Sequence, residues 1–222
     1  MEAVIKIGGS LAEDPERLKS LCRNLSELAK KHSIAVVPGG GKFADVVRDV
    51  DTRLRLSSFI SHRMAILAMD QFGLLLSQFI PDSCATYVLD DVKQLAEVRA
   101  VPIFLPSRLM FKEDPLENSW NVTSDSIAAY VASRLGAKKV VLATDVDGIF
   151  MGGREKQADV KLLHRLSAAE LLELNQRTSV DRFLPKLLLK VRINCFVING
   201  KYPERLKDVL AGHETICTFI SA

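Results

Sequence analysis

Short, nearly continuous apolar runs alternate along the chain with longer stretches in which apolar residues recur every third or fourth position. Runs of the first kind read as buried strands and stretches of the second kind as amphipathic helices. Strands are predicted at 3–7 (AVIKI), 34–37 (IAVV), 101–105 (VPIFL, ended by Pro106), 139–143 (KVVLA), 194–198 (NCFVI) and 216–220 (ICTFI). After the first of these, Asp14-Pro15 supplies an N-cap and a first helical position. Leu18, Leu21, Cys22, Leu25, Leu28 and Ala29 then share one face, and Lys30 and Lys31 suit the negative end of the helix dipole. Further helices are predicted at 42–53, 57–79, 90–99, from 125 up to Gly136, and at 167–175, 183–191 and 203–210. Loops are expected at 81–87 (leading into a short strand), 151–160 and 177–182, and residues 112–120 read as an irregular flap.

Two of the strands run into glycine. The first ends as Lys6-Ile7-Gly8-Gly9-Ser10 and the second as Pro38-Gly39-Gly40-Gly41. Strand, glycine turn and helix, repeated, predict a parallel sheet covered by helices. Ligands of such sheets bind beyond the carboxyl ends of the strands, where both turns fall. Gly8 and Gly9 lack a Cβ, so their N–H groups can approach an anionic phosphate, and Lys6 adds a positive charge. Taken alone, the pattern is equally a strand closed by a Gly-Gly turn. It is not a Walker A loop, and no G-x-G-x-x-G follows the first strand, which argues against a dinucleotide oxidoreductase.

Composition narrows the class. The chain has 222 residues and is 48% hydrophobic, enough for one large domain with a substantial core. A net charge of +3 is too small to argue for nucleic acid or an anionic membrane. Cys22, Cys84, Cys195 and Cys217 are scattered without a C-x-x-C, so neither a zinc ribbon nor a disulfide framework is expected, and a reducing cytoplasm is. Met1 leads directly into the first strand, so no signal peptide is expected, and Asp70, Gln71 and Gln78 interrupt the longest apolar stretch.

Lys6-x-Gly8-Gly9-Ser10, Pro38-Gly39-Gly40-Gly41, Asn121-x-x-x-Asp125 and Thr144-Asp145-x-Asp147-Gly148, in that order, make the chain resemble the amino acid kinase superfamily over nearly its whole length. The resemblance implies an α/β fold, a three-layer αβα sandwich with a mostly parallel central sheet. It implies a single domain over 1–222, with the acceptor site in a lobe of about 1–120 and the nucleotide site in a lobe of about 121–222. Within the superfamily, Ser61-His62-Arg63-Met64-Ala65 through Asp70-Gln71-Phe72-Gly73, with Thr178-Ser179-Val180-Asp181, looks most like kinases of archaea and one-carbon-metabolising bacteria linked to methanofuran synthesis. The archaeal enzymes of that group phosphorylate an aminomethylfuran-methyl phosphate to its diphosphate. Uridylate, isopentenyl phosphate or an amino-acid carboxylate is the alternative acceptor, and a non-catalytic nucleotide- or metabolite-binding protein is the alternative class.

Carried over residue by residue, the resemblance makes Lys6, Asp125 and Lys186 catalytic, Asp125 orienting both lysines. The usual Gly-Gly pair before the second lysine is replaced here by Val180-Asp181-Arg182-Phe183-Leu184-Pro185, which makes Lys190 the fallback. By its sequence context alone, Asp125 is a helix N-cap beside Thr123. Gly8, Gly9, Ser10, Thr144, Asp145, Asp147, Gly148 and Lys161 are expected on the nucleotide, and Gly39, Gly40, Gly41, His62, Arg63 and Asn121 on the acceptor. Relatives often follow the aromatic here (Phe150) with Asp-Pro, whereas this chain has Met151-Gly152-Gly153-Arg154. Cations for an acceptor phosphate are sought among Arg48, Arg53, Arg55, Arg63 and Arg108, with His62 as a hydrogen-bond donor. ATP with Mg2+ bound through its phosphates is the expected donor. The apolar faces of the 57–79 helix predict a homo-oligomer, most simply a dimer.

Overall fold

The computed structural model describes residues 1–152, 160–174 and 176–222. In chain order the elements are β1 (Ala3–Ile7), α1 (Pro15–Ala29), β2 (Ile34–Pro38), α2 (Gly41–Leu54), α3 (Ser58–Phe79), β3 (Ser83–Thr86), α4 (Leu89–Glu97), β4 (Val101–Phe104), α5 (Ser107–Glu113) and α6 (Ser124–Leu135). There follow β5 (Lys139–Thr144), β6 (Ile149–Met151), β7 (Lys161–Leu163), β8 (Arg165–Ser167), α7 (Ala168–Glu173), α8 (Leu184–Val191), β9 (Asn194–Asn199), α9 (Pro203–Ala211) and β10 (Thr218–Ser221).

Among the described residues the main sheet has eight strands in the order β3-β4-β2-β1-β5-β9-β10-β8, and a β6–β7 hairpin stands apart. Every neighbouring pair in the main sheet is parallel except β9 with β10. The central strands are apolar on both faces because both faces are covered. Ala3, Ile5 and Ile7 of β1 pack with α1 and α9 residues such as Leu21, Leu25 and Leu206. Val4 packs on the opposite side with Ile127, Val131 and Leu188. Side chains alternate along a strand, so Lys6 shares the face of Val4 and points toward α6. This period-two alternation is what carries a lysine from the sheet to the helix that bears Asp125.

Local signals set most boundaries. Asp14 accepts a hydrogen bond from the N–H of Arg17 at the start of α1 (3.1 Å), and Ser57 accepts from Ile60 at the start of α3 (3.4 Å). Gly136 ends α6 with φ 63°, in the left-handed region. Three expectations need correcting. Strand β3 lies inside the expected 81–87 loop. Residues 107–113 form α5, ahead of and overlapping the expected flap. The expected 151–160 loop begins within the β6 strand, with β7 and β8 just beyond it, while 153–159 lie outside the described residues. Residue 175, the end of the expected 167–175 helix, also lies outside them. Helix α5 escapes local reading because its cap comes from another helix: the N–H of Ser107 donates to Oδ1 of buried Asp70 on α3 (3.2 Å).

Candidate active site

The carboxyl ends of β1, β2 and β5 meet the N-termini of α2 and α6. Here the two glycine turns press together. A Cβ at Gly9 would stand 2.1 Å from Cα of Gly41, and one at Gly39 would stand 2.9 Å from the Gly9 nitrogen. The N–H of Gly39 donates to the Ile7 carbonyl (2.8 Å), and that of Gly8 donates to the Ala143 carbonyl (2.8 Å). The Gly8 N–H is therefore committed to the sheet, and Gly8 serves the site through its lack of a side chain.

Lys6 is buried, and its Nζ lies 2.8 Å from Oδ1 of Asp125 in the first turn of α6. The other oxygen of Asp125 accepts the backbone N–H of Asp181 (3.1 Å). Burial, with the neighbouring Asp125 carboxylate, pushes Asp181 up to about 6, against the N–H groups of Ser126 and Thr123 that favour its anion. The hydroxyl of Ser10 donates to Oδ1 of Asp145 (3.0 Å), as does that of Thr144 (3.2 Å), which joins the first glycine turn to the end of β5.

Asp147 faces Asn199 and Arg205 rather than Asp145. Burial would raise its pKa, but the guanidinium and the amide outweigh it and hold the carboxyl below its usual range. A side chain on Gly148 would collide with Thr218, whose Oγ1 would lie 2.3 Å from its Cβ. Ser179 donates to the Gly148 carbonyl (2.9 Å) and Gln176 to that of Phe150 (2.8 Å), so the 176–183 loop is sewn to this turn. Lys161 is exposed at the start of β7, opposite Met151. A groove of about 420 Å³ beside Ser10 and Asp145 is lined also by Arg17, Lys201 and Tyr202.

On the other side of the Gly9 turn lies a cavity of about 290 Å³. Gly9, Gly40, Gly41 and Ser124 form one end, and His62, Met69, Arg48 and Trp120 form walls. The Arg48 guanidinium stacks on the Trp120 ring (4.6 Å), and the indole N–H donates to Asp51 (2.7 Å), which fastens the 114–123 segment to α2. Burial lowers the pKa of His62, opposed by Asp114, the Ser119 carbonyl and Glu117. The imidazole is thus neutral near pH 7 and adds no fixed cation.

Several expected site residues stand elsewhere. Arg63 is not in the cavity lining; it lies between the rings of Phe59 (4.3 Å) and Phe111 (4.7 Å). Arg108 stacks on Tyr87, and Arg53 pairs with Asp49. Arg55 is the left-handed C-cap of α2. The Asn121 amide donates to Glu117 (3.3 Å), and only its backbone carbonyl, accepting from Phe183 (3.2 Å), reaches the 176–183 loop. Lys186 is exposed, 5.7 Å from the centre of the Phe183 ring, and among the described residues it contacts neither Lys6 nor Asp125. Trp120 and Asp181 are site residues that local reading passes over. An aspartate three residues before a helix start at Leu184 was a signal for Asp181, but its other partners lie on α6.

Comparison with known proteins adds the family. The model described as "Amino acid kinase family" matches residues 1–199. The chain is 39% identical over 217 residues to a [5-(aminomethyl)furan-3-yl]methyl phosphate kinase of Methanocaldococcus jannaschii, covering 98% of this chain and 96% of that one. It is 25% identical over 226 residues to a uridylate kinase of Thermococcus kodakarensis, covering 96% of each. Among solved structures, the uridylate kinase of Archaeoglobus fulgidus superposes with a TM-score of 0.80 at 23% identity over the whole of both chains, a likeness of fold.

Proposed function

Because the chain belongs to the amino acid kinase family and is a phosphotransferase, we propose that it transfers the γ-phosphoryl group of ATP to a phosphate monoester, [5-(aminomethyl)furan-3-yl]methyl phosphate, as in methanofuran-type cofactor synthesis. The observation that carries this reading is the meeting of two helix N-termini at one end of the 290 Å³ cavity. At that end the first turns of α2 and α6 both open into it, while on its walls Lys42 pairs with Glu13 (2.9 Å) and Arg48 with Asp45 (3.3 Å), which offset their charges. Two positive helix ends converging on one end of the cavity suit an acceptor phosphate. The relative at 39% identity is named for such an acceptor.

In this reading a phosphate oxygen of the acceptor attacks the γ-phosphorus while the bond from that phosphorus to the ADP oxygen breaks. The products are the diphosphate and ADP, and no side chain is covalently modified. Lys6 meets the charge that spreads over the transferring oxygens, and Asp125 holds it there. Ser10, Thr144, Asp145 and the turn at Gly148 are the groups that would hold ATP, together with the adjoining groove. Magnesium arriving on the ATP phosphates supplies charge neutralisation; among the described residues no group of three or more His, Cys, Asp or Glu is placed to hold a metal. This assigns the acceptor to the N-terminal half of the sheet and the nucleotide to the C-terminal half.

The test is steady-state turnover with the aminomethylfuran phosphate, UMP, isopentenyl phosphate and amino-acid carboxylates. The reading expects kcat/KM for the furan phosphate to exceed each of the others by about 100-fold or more. Comparable turnover of UMP contradicts it. We also propose a cytoplasmic homodimer. Phe59, Ile60, Leu67, Leu74, Leu75 and Phe79 leave an exposed apolar face on α3. Among the described residues no helix is long and apolar enough to cross a membrane. Light scattering is expected to show twice the 24.6 kDa chain mass; the chain mass itself contradicts the dimer.

A further inference from the structure

Asp181 is buried where β1, α6 and α8 converge. Its Oδ2 accepts from the N–H of Thr123 (2.9 Å), the hydroxyl of Thr123 (3.0 Å) and the N–H of Ser126 (2.9 Å). Its Oδ1 accepts from the hydroxyl of Ser126 (2.6 Å) and the N–H of Leu184 (2.8 Å). One carboxylate thus caps two helices at once, α6 from a distance and α8 locally, and takes donors from both positive ends. Its own backbone N–H donates to Oδ2 of Asp125, whose Oδ1 holds Lys6.

We infer that Asp181 is a positioning residue for phosphoryl transfer: it sets the Lys6–Asp125 pair by holding the far oxygen of Asp125 and by locking the helix turn on which Asp125 stands. A carboxylate in the first helical turn has rotational freedom. Such a group can swing to satisfy the free N–H groups of its own helix. Here those groups at Thr123 and Ser126 are already occupied by Asp181, and the outer oxygen of Asp125 is occupied by the Asp181 N–H. The remaining oxygen faces Lys6. The same carboxylate ties Thr123, which lines the acceptor cavity, to the start of α8 and to the loop joined to Gly148. The place of the transferring group is therefore referenced to both substrate sites through one side chain. This rests on the phosphotransferase reading and not on the identity of the acceptor.

The test is a double-mutant cycle, run with whichever acceptor the wild type turns over fastest, so that a wrong acceptor leaves it intact. Asp181→Asn turns one acceptor oxygen into a donor and loses at least one of the three backbone N–H bonds, whichever way the amide is turned, while also removing the negative charge. It is expected to lower kcat about 30-fold while KM for ATP and acceptor stay within about 3-fold. In a Lys6→Ala background the same change is expected to lower kcat less than about 2-fold, because the group it positions is gone. Losses that multiply in the double variant, or an unchanged kcat in folded Asp181→Asn, overturn the inference. Should that variant fail to fold, Ser126→Ala removes one hydroxyl donor only; a loss of about 3-fold in the wild type and none beside Lys6→Ala is expected, and equal losses overturn it. A second readout needs no turnover. Acetylation of Lys6, followed by peptide mass spectrometry against exposed Lys42, is expected to speed up at least about 5-fold in Asp181→Asn. An unchanged ratio of the two rates overturns the inference.

Discussion

Gly9 and Gly41 lie back to back, so close that a Cβ at Gly9 would stand 2.1 Å from Cα of Gly41 and 2.2 Å from its nitrogen. The two strand-end turns are therefore one surface, with the proposed acceptor cavity on one side and the proposed nucleotide loop on the other. Gly9→Ala must force them apart, since the colliding atoms are backbone. It is expected to cost about 100-fold or more in kcat/KM. Gly136→Ala is the control. That glycine has φ 63° and open space around its Cβ, so the change is expected to cost about 1 kcal/mol of stability by urea unfolding and to leave kcat alone.

Lys186 stands on the first turn of α8, which Asp181 ties to the Lys6–Asp125 pair, although its side chain lies against Phe183. Its proposed role is to meet phosphate oxygens of bound ATP. Lys186→Ala is expected to lower kcat at least about 10-fold with Lys190→Ala within about 2-fold of wild type. The opposite order would place the second lysine one helical turn later.

Arg48 is the arginine on the cavity wall, and Arg63 is held between two rings away from it. Arg48→Ala is expected to raise the acceptor KM about 10-fold or more and leave the ATP KM nearly unchanged. Arg63→Ala is expected to lower thermal stability and leave both KM values within about 2-fold. If Arg63→Ala raises the acceptor KM, the cavity described above is not the acceptor site.

The burial of His62 gives a sign for acid stability. Its folded pKa lies below the usual 6.5, so unfolding takes up a proton as the pH falls. The stability it contributes is present above about pH 6.5 and is lost below it. Asp181, raised to about 6, acts in the opposite sense between that value and its usual 3.8, so the comparison is between variant and wild type. Between about pH 7.5 and about pH 5.5, His62→Gln is expected to lose less of its urea midpoint than the wild type loses. Equal losses contradict a depressed His62.

The sheet and its two glycine turns were legible because their signals are local: an apolar run, a lysine in alternation, a glycine at the end. Asp14-Pro15 and Gly136 likewise mark helix ends by their own chemistry. What was not legible depends on partners far along the chain. Helix α5 is capped by Asp70 of α3, and Asp181 finds its donors at Thr123 and Ser126. The exchange of Arg63 for Arg48 is a matter of helix rotation. Successive residues point about 100° apart, so a helix that turns His62 into the cavity turns Arg63 out of it. A list of nearby arginines does not contain that rotation.

Phosphorus NMR of the reaction of ATP with [5-(aminomethyl)furan-3-yl]methyl phosphate distinguishes transfer to a phosphate oxygen from every other outcome. The account predicts that the acceptor's single resonance gives way to the two coupled resonances of a diphosphate monoester, in step with ADP. An acceptor resonance that persists while ATP is consumed, or a product that appears only with carboxylates and is trapped by hydroxylamine, contradicts it.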